Sequence, residues 1–354
     1  MSWSRPRAPL VDNALPVLCC PSCEIPLMSD GPAELCTSCR KRWPVLNGVA
    51  FFGGSDHGQH RLTADQQADI VQVALTEGWQ VALHDRLRDV APEVYRCAVD
   101  PYRAHWRFLL PLSSSSRVLD LNAGLGAATF SLAETCGAVV AADSSVHEAA
   151  FVAVRARQSG MHNILSLRLG LDQSLPFAPR SFDGVVLADG LSWIASAAEQ
   201  RQLVDRIHRI LCPGGTLLLA DMNRVGPAQL ASASSRPGTR SVGGYARLLR
   251  RAGFDRLRIY ALLPSHNEPF FLIPLDQRTP FAFFLREIVA NANFGPQLER
   301  RGLGLLFRIV RAVAETVPAT VLTTLLRSFV PGVAIAARRH AASESPWPAP
   351  MSRS

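Results

Sequence analysis

The sequence predicts an α/β chain built on a doubly wound, largely parallel sheet. Three observations carry this. Short apolar runs alternate with helix-like segments, the pattern of strands linked by crossover helices. One run, Arg117-Val-Leu-Asp-Leu121, leads into a glycine-rich turn at Gly124 and Gly126 and then the helix-like Ala127–Ala133. A second, Ala138–Asp143, ends on a carboxylate one strand–helix unit later. Glycines let the backbone turn sharply and approach a ligand, and the helix start offers free N–H groups. Alone, such a turn fits a dinucleotide site or a simple tight turn equally well.

Seven strands are expected, at 117–121, 138–143, 164–169, 183–188, 216–221, 256–262 and 332–338. In such a sheet the ligand lies at the carboxyl ends of the strands, where the strand order reverses. Asp120, Asn122, Ala123, Gly124, Gly126, Asp143, Ser144, Asp172 and Asp189 all fall at those ends. Ahead of the first strand, residues 63–110 read as helices, with Thr63-Ala-Asp-Gln66 as a capping box. Tyr102, His105 and Trp106 of this lead-in either roof the pocket or pack the helix on the sheet.

Eight cysteines occur, and four are patterned. Cys20-Pro-Ser-Cys23 and Cys36-Thr-Ser-Cys39 form two knuckles, the spacing at which four thiolates converge on a tetrahedral zinc. Cys19 leaves one ambiguity of register, which the Cys-x-x-Cys spacing resolves in favour of Cys20.

The ordered set then becomes specific. After the glycine turn and Asp143 come Leu175-Pro-Phe177, Ser181-Phe-Asp183 and Leu211-Cys-Pro-Gly-Gly215. Together these resemble the class I S-adenosylmethionine (SAM)-dependent methyltransferases, type 11-like, over roughly 115–262. The resemblance implies a seven-stranded Rossmann-like sheet and SAM as cofactor. It implies that Asp120 holds the methionine end through the loop and that Asn122, Ala123, Gly124 and Gly126 admit the backbone to SAM. Asp143, with Ser144 beside it, would take the ribose hydroxyls, and Asp172 the adenine. Asp189, after strand four, is the candidate general base, with His105 next; the alternative is that Asp189 caps the turn before Gly190. Two positions depart from the pattern: Asn122 stands where the first glycine usually does, and Leu171 where an acidic residue near the adenine is common. Asn tolerates the left-handed backbone region better than most residues.

The segment after the second knuckle, Arg42-Trp-Pro-Val-Leu-Asn-Gly-Val-Ala-Phe-Phe52, is similar to the small zinc-ribbon proteins that activate tRNA and translation-factor methyltransferases. It implies a structural zinc. The organisation expected is a tail (1–15), a zinc ribbon (16–53), a helical lead-in or lid (63–110), the SAM-binding core (111–263), a helical insertion (264–330), the last core strand (331–340) and a second tail (341–354).

The formal charge is +8, and it comes from residues 240–354, which hold sixteen arginines against seven acidic residues. This implies an anionic partner, or arginines that solvate exposed helix faces. In 297–317, Arg301, Arg308, Arg311 and Glu315 share one helical face and Leu303, Leu306, Phe307, Val310, Val313 and Val317 the other. That amphipathic pattern suits either packing on the domain or peripheral contact with an anionic membrane through 264–330. With no secretory signal and no apolar run of about eighteen residues, a cytoplasmic protein is expected, peripheral at the inner membrane face in the second case.

Trp79 after Gly78, the Arg103-Ala-x-Trp-x-Phe-Leu-Leu-Pro111 lead-in and the Pro264-Ser-His-Asn-Glu-Pro269 block resemble bacterial methyltransferases thought to work in polysaccharide or glycolipid assembly. The implied reaction is methyl transfer to an oxygen of a small molecule or glycan acceptor. The alternatives are an RNA methyltransferase, since zinc ribbons precede some of these, and a catalytically weak SAM-binding scaffold.

Overall fold

A computed structural model describes residues 15–55, 62–227, 229, 236–267, 269–284 and 327–340. The chain opens on four short strands, β1 (Met28–Asp30), β2 (Ala33–Leu35), β3 (Arg42–Leu46) and β4 (Val49–Gly53). Three helices follow: α1 (Ala64–Glu77), α2 (Trp79–Leu87) and α3 (Pro92–Val99), then a 3-10 segment, Pro101–Leu109. Thr63 caps α1 reciprocally with Gln66, as the sequence pattern expects.

The core then runs β5 (Arg117–Leu121), α4 (Ala127–Ala133), β6 (Ala138–Asp143), α5 (Val146–Gln158), β7 (Ile164–Leu169) and β8 (Phe182–Ala188). It continues with α6 (Ala197–Ile210), β9 (Leu211–Met222), α7 (Val242–Arg251), β10 (Phe254–Pro264), β11 (Pro269–Pro274), α8 (Arg278–Phe283) and β12 (Gly332–Arg339). The central order is β7-β6-β5-β8-β9-β12-β10. All neighbours there are parallel except β12, which lies antiparallel between β9 and β10.

Two cores flank the sheet, and the period-2 alternation of strand side chains assigns them. Leu119, Leu121, Val140 and Leu187 face Leu203 and Ile207 of α6 and Leu249 of α7. Val118, Val139, Val186 and Leu218 face Ala128 and Leu132 of α4 and Trp106 of the 3-10 segment. Trp106 therefore packs the lead-in on the sheet. α1, α2 and α3 form a third layer over Leu125 of the glycine turn and Phe151 and Val154 of α5.

The edges of the sheet go beyond seven strands. β4 adds parallel to β7, because Ala50 and Phe52 bury in the same core as Leu167 and Leu169. At the other edge β11 pairs antiparallel with β10, so the stretch after β10 begins as a hairpin before the short helix α8. The amphipathic pattern at 297–317 lies outside the described residues. No helix among the described residues is long and apolar enough to cross a membrane.

Candidate active site and metal centre

The carboxyl ends of β5, β6 and β8 meet at the glycine turn. Asn122 occupies the left-handed region at φ 63°, and its Nδ2 donates to the carbonyls of Ala188 (3.4 Å) and Asp189 (3.1 Å). A glycine here would provide the φ but not these bonds. Gly126 begins α4 at φ 84°, and a Cβ there would lie 2.8 Å from the Phe130 ring. Gly124 also has positive φ, but a Cβ there would meet only Glu148 Oε2, at 4.0 Å.

Asp143 is 2% exposed. It accepts from Gly124 N and Ser145 N, each at 2.8 Å, so the acid of β6 is tied to the turn after β5. Ser145 caps α5 and donates to Gln67 of α1 at 2.8 Å, which brings the lead-in over this corner. Asp120 is buried and accepts from Thr129 Oγ1 of α4 at 2.7 Å. The corner fits an adenosyl group. It presents a carboxylate, which accepts hydroxyls, and the Ser144 hydroxyl beside it is buried without a partner among the described residues.

Arg155 braces the turn. Its Nη1 donates to the carbonyls of Leu125 and Ala98, both at 3.2 Å, and its guanidinium lies between the rings of Trp79 (4.2 Å) and Phe130 (4.0 Å). Burial pushes its pKa down to about 10. This explains the Gly78-Trp79 pair, whose partner the sequence does not reveal.

Asp172 faces a different group. Its carboxylate accepts from Ser55 N (3.0 Å) and Ser55 Oγ (2.9 Å). Desolvation opposes the charge, but the bonds from Ser55 and Gln173 outweigh it and hold the carboxyl below its usual range. Arg168 adds bonds to Gly54 O (2.8 Å) and Ser144 O (3.0 Å). The link after the ribbon is thus clasped against the strand that borders Ser144. Leu171 is buried in the core.

Beyond β8, Asp189 (φ 59°) pairs with Arg236 and with His266 Nε2 at 3.0 Å. Neither partner was evident in the sequence. Arg236 carries no local signal, and His266 shows only as part of the Pro264–Pro269 block. His105 is not among the described partners of Asp189; its ring lies 6.4 Å from that of Phe108.

The four sulfurs of Cys20, Cys23, Cys36 and Cys39 lie within 4.8 Å of one another. The Cys20 and Cys39 sulfurs are 3.7 Å apart, matching the spacing of about 3.8 Å that tetrahedral zinc–thiolate bonds impose. Each knuckle closes on a left-handed residue, Glu24 and Arg40. The Cys39 N–H donates to Cys36 Sγ and, with further hydrogen bonds, brings that thiol down to about 7, favouring the thiolate that binds metal. Cys19 stands apart, with Sγ on Val17 O and its N–H on Pro176 O.

Comparison with known proteins finds methyltransferases. Residues 119–219 match the methyltransferase domain family model. An uncharacterised methyltransferase of Synechocystis is 31% identical over 115 residues, covering 32% of this chain and 51% of the relative. A demethylmenaquinone methyltransferase of Corynebacterium urealyticum is 31% identical over 122 residues, covering 34% and 48%. A methyltransferase of Streptomyces halstedii is 28% identical over 160 residues, covering 42% and 56%. The chain spans about half the length of the curated relatives it matches. Residues 119–219 therefore carry a methyltransferase domain.

Proposed function

We propose that the protein transfers the methyl group of SAM to an oxygen of a small molecule or of a glycan or glycolipid intermediate. SAM supplies a methyl group on a positively charged sulfur, and the protein aligns the acceptor with it. The observation that carries the reading is the Asn122 amide on the Asp189 carbonyl. It joins the cofactor turn to a carboxylate–histidine pair, and an oxygen nucleophile needs such acid–base help. Relatives named demethylmenaquinone methyltransferases act, by that name, on a small molecule.

Methyl-tritiated SAM offered with an organic extract of the producing cells, and separately with their total RNA, tests this. Label is expected in the organic extract. Label in RNA alone, with an affinity that falls as salt rises, supports the second reading, an RNA acceptor, which the charge of +8 favours.

Asp143 carries the ribose role in this proposal. Asp143→Ala is expected to weaken SAM binding by about 1.5–3 kcal/mol, the scale of hydrogen bonds to a charged group. Calorimetry checks it, and an unchanged affinity assigns the ribose to another residue.

We further propose that the cysteine cluster holds one structural zinc, and that 264–330 docks on an anionic membrane face. Each arginine near such a surface contributes about 1 kcal/mol, screened by salt. Co-sedimentation with anionic but not neutral vesicles is expected, lost in Arg308→Glu with Arg311→Glu. Equal recovery in the supernatant with both vesicle types removes the membrane role.

A further inference from the structure

Asp189 stands where a general base is expected, yet its carboxylate is already engaged. Arg236 reaches both oxygens, at Oδ1 and, through Nη2, at Oδ2 (3.4 Å). It also donates to Ser192 Oγ (3.2 Å) and lies over the Trp193 ring at 4.1 Å. His266 Nε2 takes the remaining place on Oδ1. The three side chains are 13%, 14% and 7% exposed for Arg236, Asp189 and His266. Burial opposes the charge on Asp189, but His266 and Arg236 outweigh it and hold the carboxyl far below its usual range. A carboxylate so stabilised is a poor base for an alcohol.

The same pairing sets the histidine. An ionised carboxylate only accepts hydrogen bonds, so the hydrogen between Asp189 and His266 belongs to Nε2. Whenever the ring is neutral, its lone pair is on Nδ1. β10 is antiparallel to β12, which is antiparallel to β9. The carboxyl end of β10, and His266 just beyond it, therefore share the edge that holds the cofactor turn. One hydrogen bond, Asn122 to the Asp189 carbonyl, spans the remaining step. The approach needs a glycine at the start of β12: a Cβ on Gly332 would lie 2.7 Å from His266 Cβ.

We propose that His266, through Nδ1, takes the proton of the acceptor hydroxyl, with Asp189 and Arg236 as positioning residues that fix the ring and its tautomer. This rests on the methyl-transfer reading above. The acceptor O–H bond breaks and its proton goes to Nδ1. The oxygen's electron pair forms the new bond to the methyl carbon, and the carbon–sulfur bond breaks with its pair returning to sulfur. The imidazolium so formed lies against the Asp189 carboxylate and then releases its proton to water. Among the described residues, the charged or titratable groups that act on the ring are Asp189 after β8 and, from β9, Asp221, with Arg236 on the same Asp189 carboxylate. Asp221 is buried, accepts from Ser192 N (2.9 Å) and Met222 N (2.7 Å), and is raised by burial and by the charge of Asp189.

Two measurements on the full, zinc-loaded chain test the assignment. The first is nitrogen NMR of ¹⁵N-histidine protein with S-adenosylhomocysteine, the His266 signals being those missing from His266→Gln. The neutral ring is expected to carry its proton on Nε2, and a proton on Nδ1 overturns the proposal. The second is tritium transfer from labelled SAM into the organic cell extract across pH. Gln at 266 keeps a donor for Asp189 but no base. His266→Gln is expected to lower transfer by about 10²–10⁴-fold and to erase the acid limb of the pH profile, with SAM affinity by calorimetry unchanged. A merely structural histidine leaves that limb in place. Wild-type protein that does not bind SAM sinks the methyl-transfer reading and this one with it. SAM bound and methyl transferred equally well by His266→Gln sinks the histidine alone.

Discussion

Removing zinc from the site proposed at Cys20, Cys23, Cys36 and Cys39 is expected to unfold the ribbon and also to weaken SAM binding. The first effect follows from size. Strands of three to five residues bury too little to fold alone, and structural zinc contributes about 10–16 kcal/mol in modules of this kind. The second follows from where the ribbon is attached. β4 lies in the sheet beside β7, with Val49 and Phe52 each 1% exposed. Leu18 bridges Phe177, and Glu24 pairs with Arg209 at 2.5 Å. Ser55 and Gly54 are held by Asp172 and Arg168, and Arg168 also holds the carbonyl of Ser144 beside Asp143. Loss of the ribbon frees these contacts at the edge of the cofactor corner. Elemental analysis of reduced protein is expected to give about one zinc per chain, the ratio of four thiolates to one tetrahedral ion. Chelation, or Cys36→Ser, is expected to expose the segment around 20–46 to protease and to lower SAM affinity about tenfold, close to 1.4 kcal/mol. A metal-free protein that resists protease there and binds SAM unchanged contradicts the account.

Gly126→Ala is expected to be the most damaging single methyl group in the cofactor turn. Two costs combine at this position. An L-residue in the left-handed region costs roughly 1–2 kcal/mol, and the added Cβ meets Phe130 at 2.8 and 3.0 Å and Val152 at 3.1 Å. Overpacking of that kind costs about 1–3 kcal/mol more. Phe130 cannot retreat freely, because Arg155 stacks on it while holding Leu125 O. The turn should shift, and SAM affinity should fall together with thermal stability. Gly124→Ala is the control. Its φ is 55°, but the nearest neighbour of an added Cβ is Glu148 Oε2 at 4.0 Å, so only the backbone cost of roughly 1–2 kcal/mol remains. Calorimetry and thermal melts of both variants check this, and equal effects would show that the packing against Phe130 is not what fixes the turn.

The seven central strands were legible because parallel strands buried on both faces read as continuous apolar runs. β6, Ala138–Asp143, is buried throughout, and its boundaries follow directly from the sequence. The four patterned cysteines were legible through their spacing, and the structure draws their sulfurs together. What escaped was set by contacts between distant segments. β4 reads as the end of a ribbon hairpin, and nothing local in Val-Ala-Phe-Phe announces a partner at Leu167–Leu169. Asp172 reads as a cofactor residue by its place after β7, yet its carboxylate turns to Ser55 in the linker. Asn122 stood out as a departure from the glycine pattern, and its amide then proves to serve the loop after β8. Asp189 could be placed by position alone, whereas Arg236 and His266 reach it from segments that only the fold brings near.

The central claim is that the corner formed by Asn122, Gly124, Gly126, Asp143 and Ser144 binds SAM. Calorimetric titration of folded, zinc-loaded protein with SAM tests it most directly. The account predicts one site per chain with a Kd tighter than about 0.1 mM, roughly −5.5 kcal/mol. Absence of binding heat with SAM raised to about 1 mM, a limit near −4 kcal/mol, would contradict it.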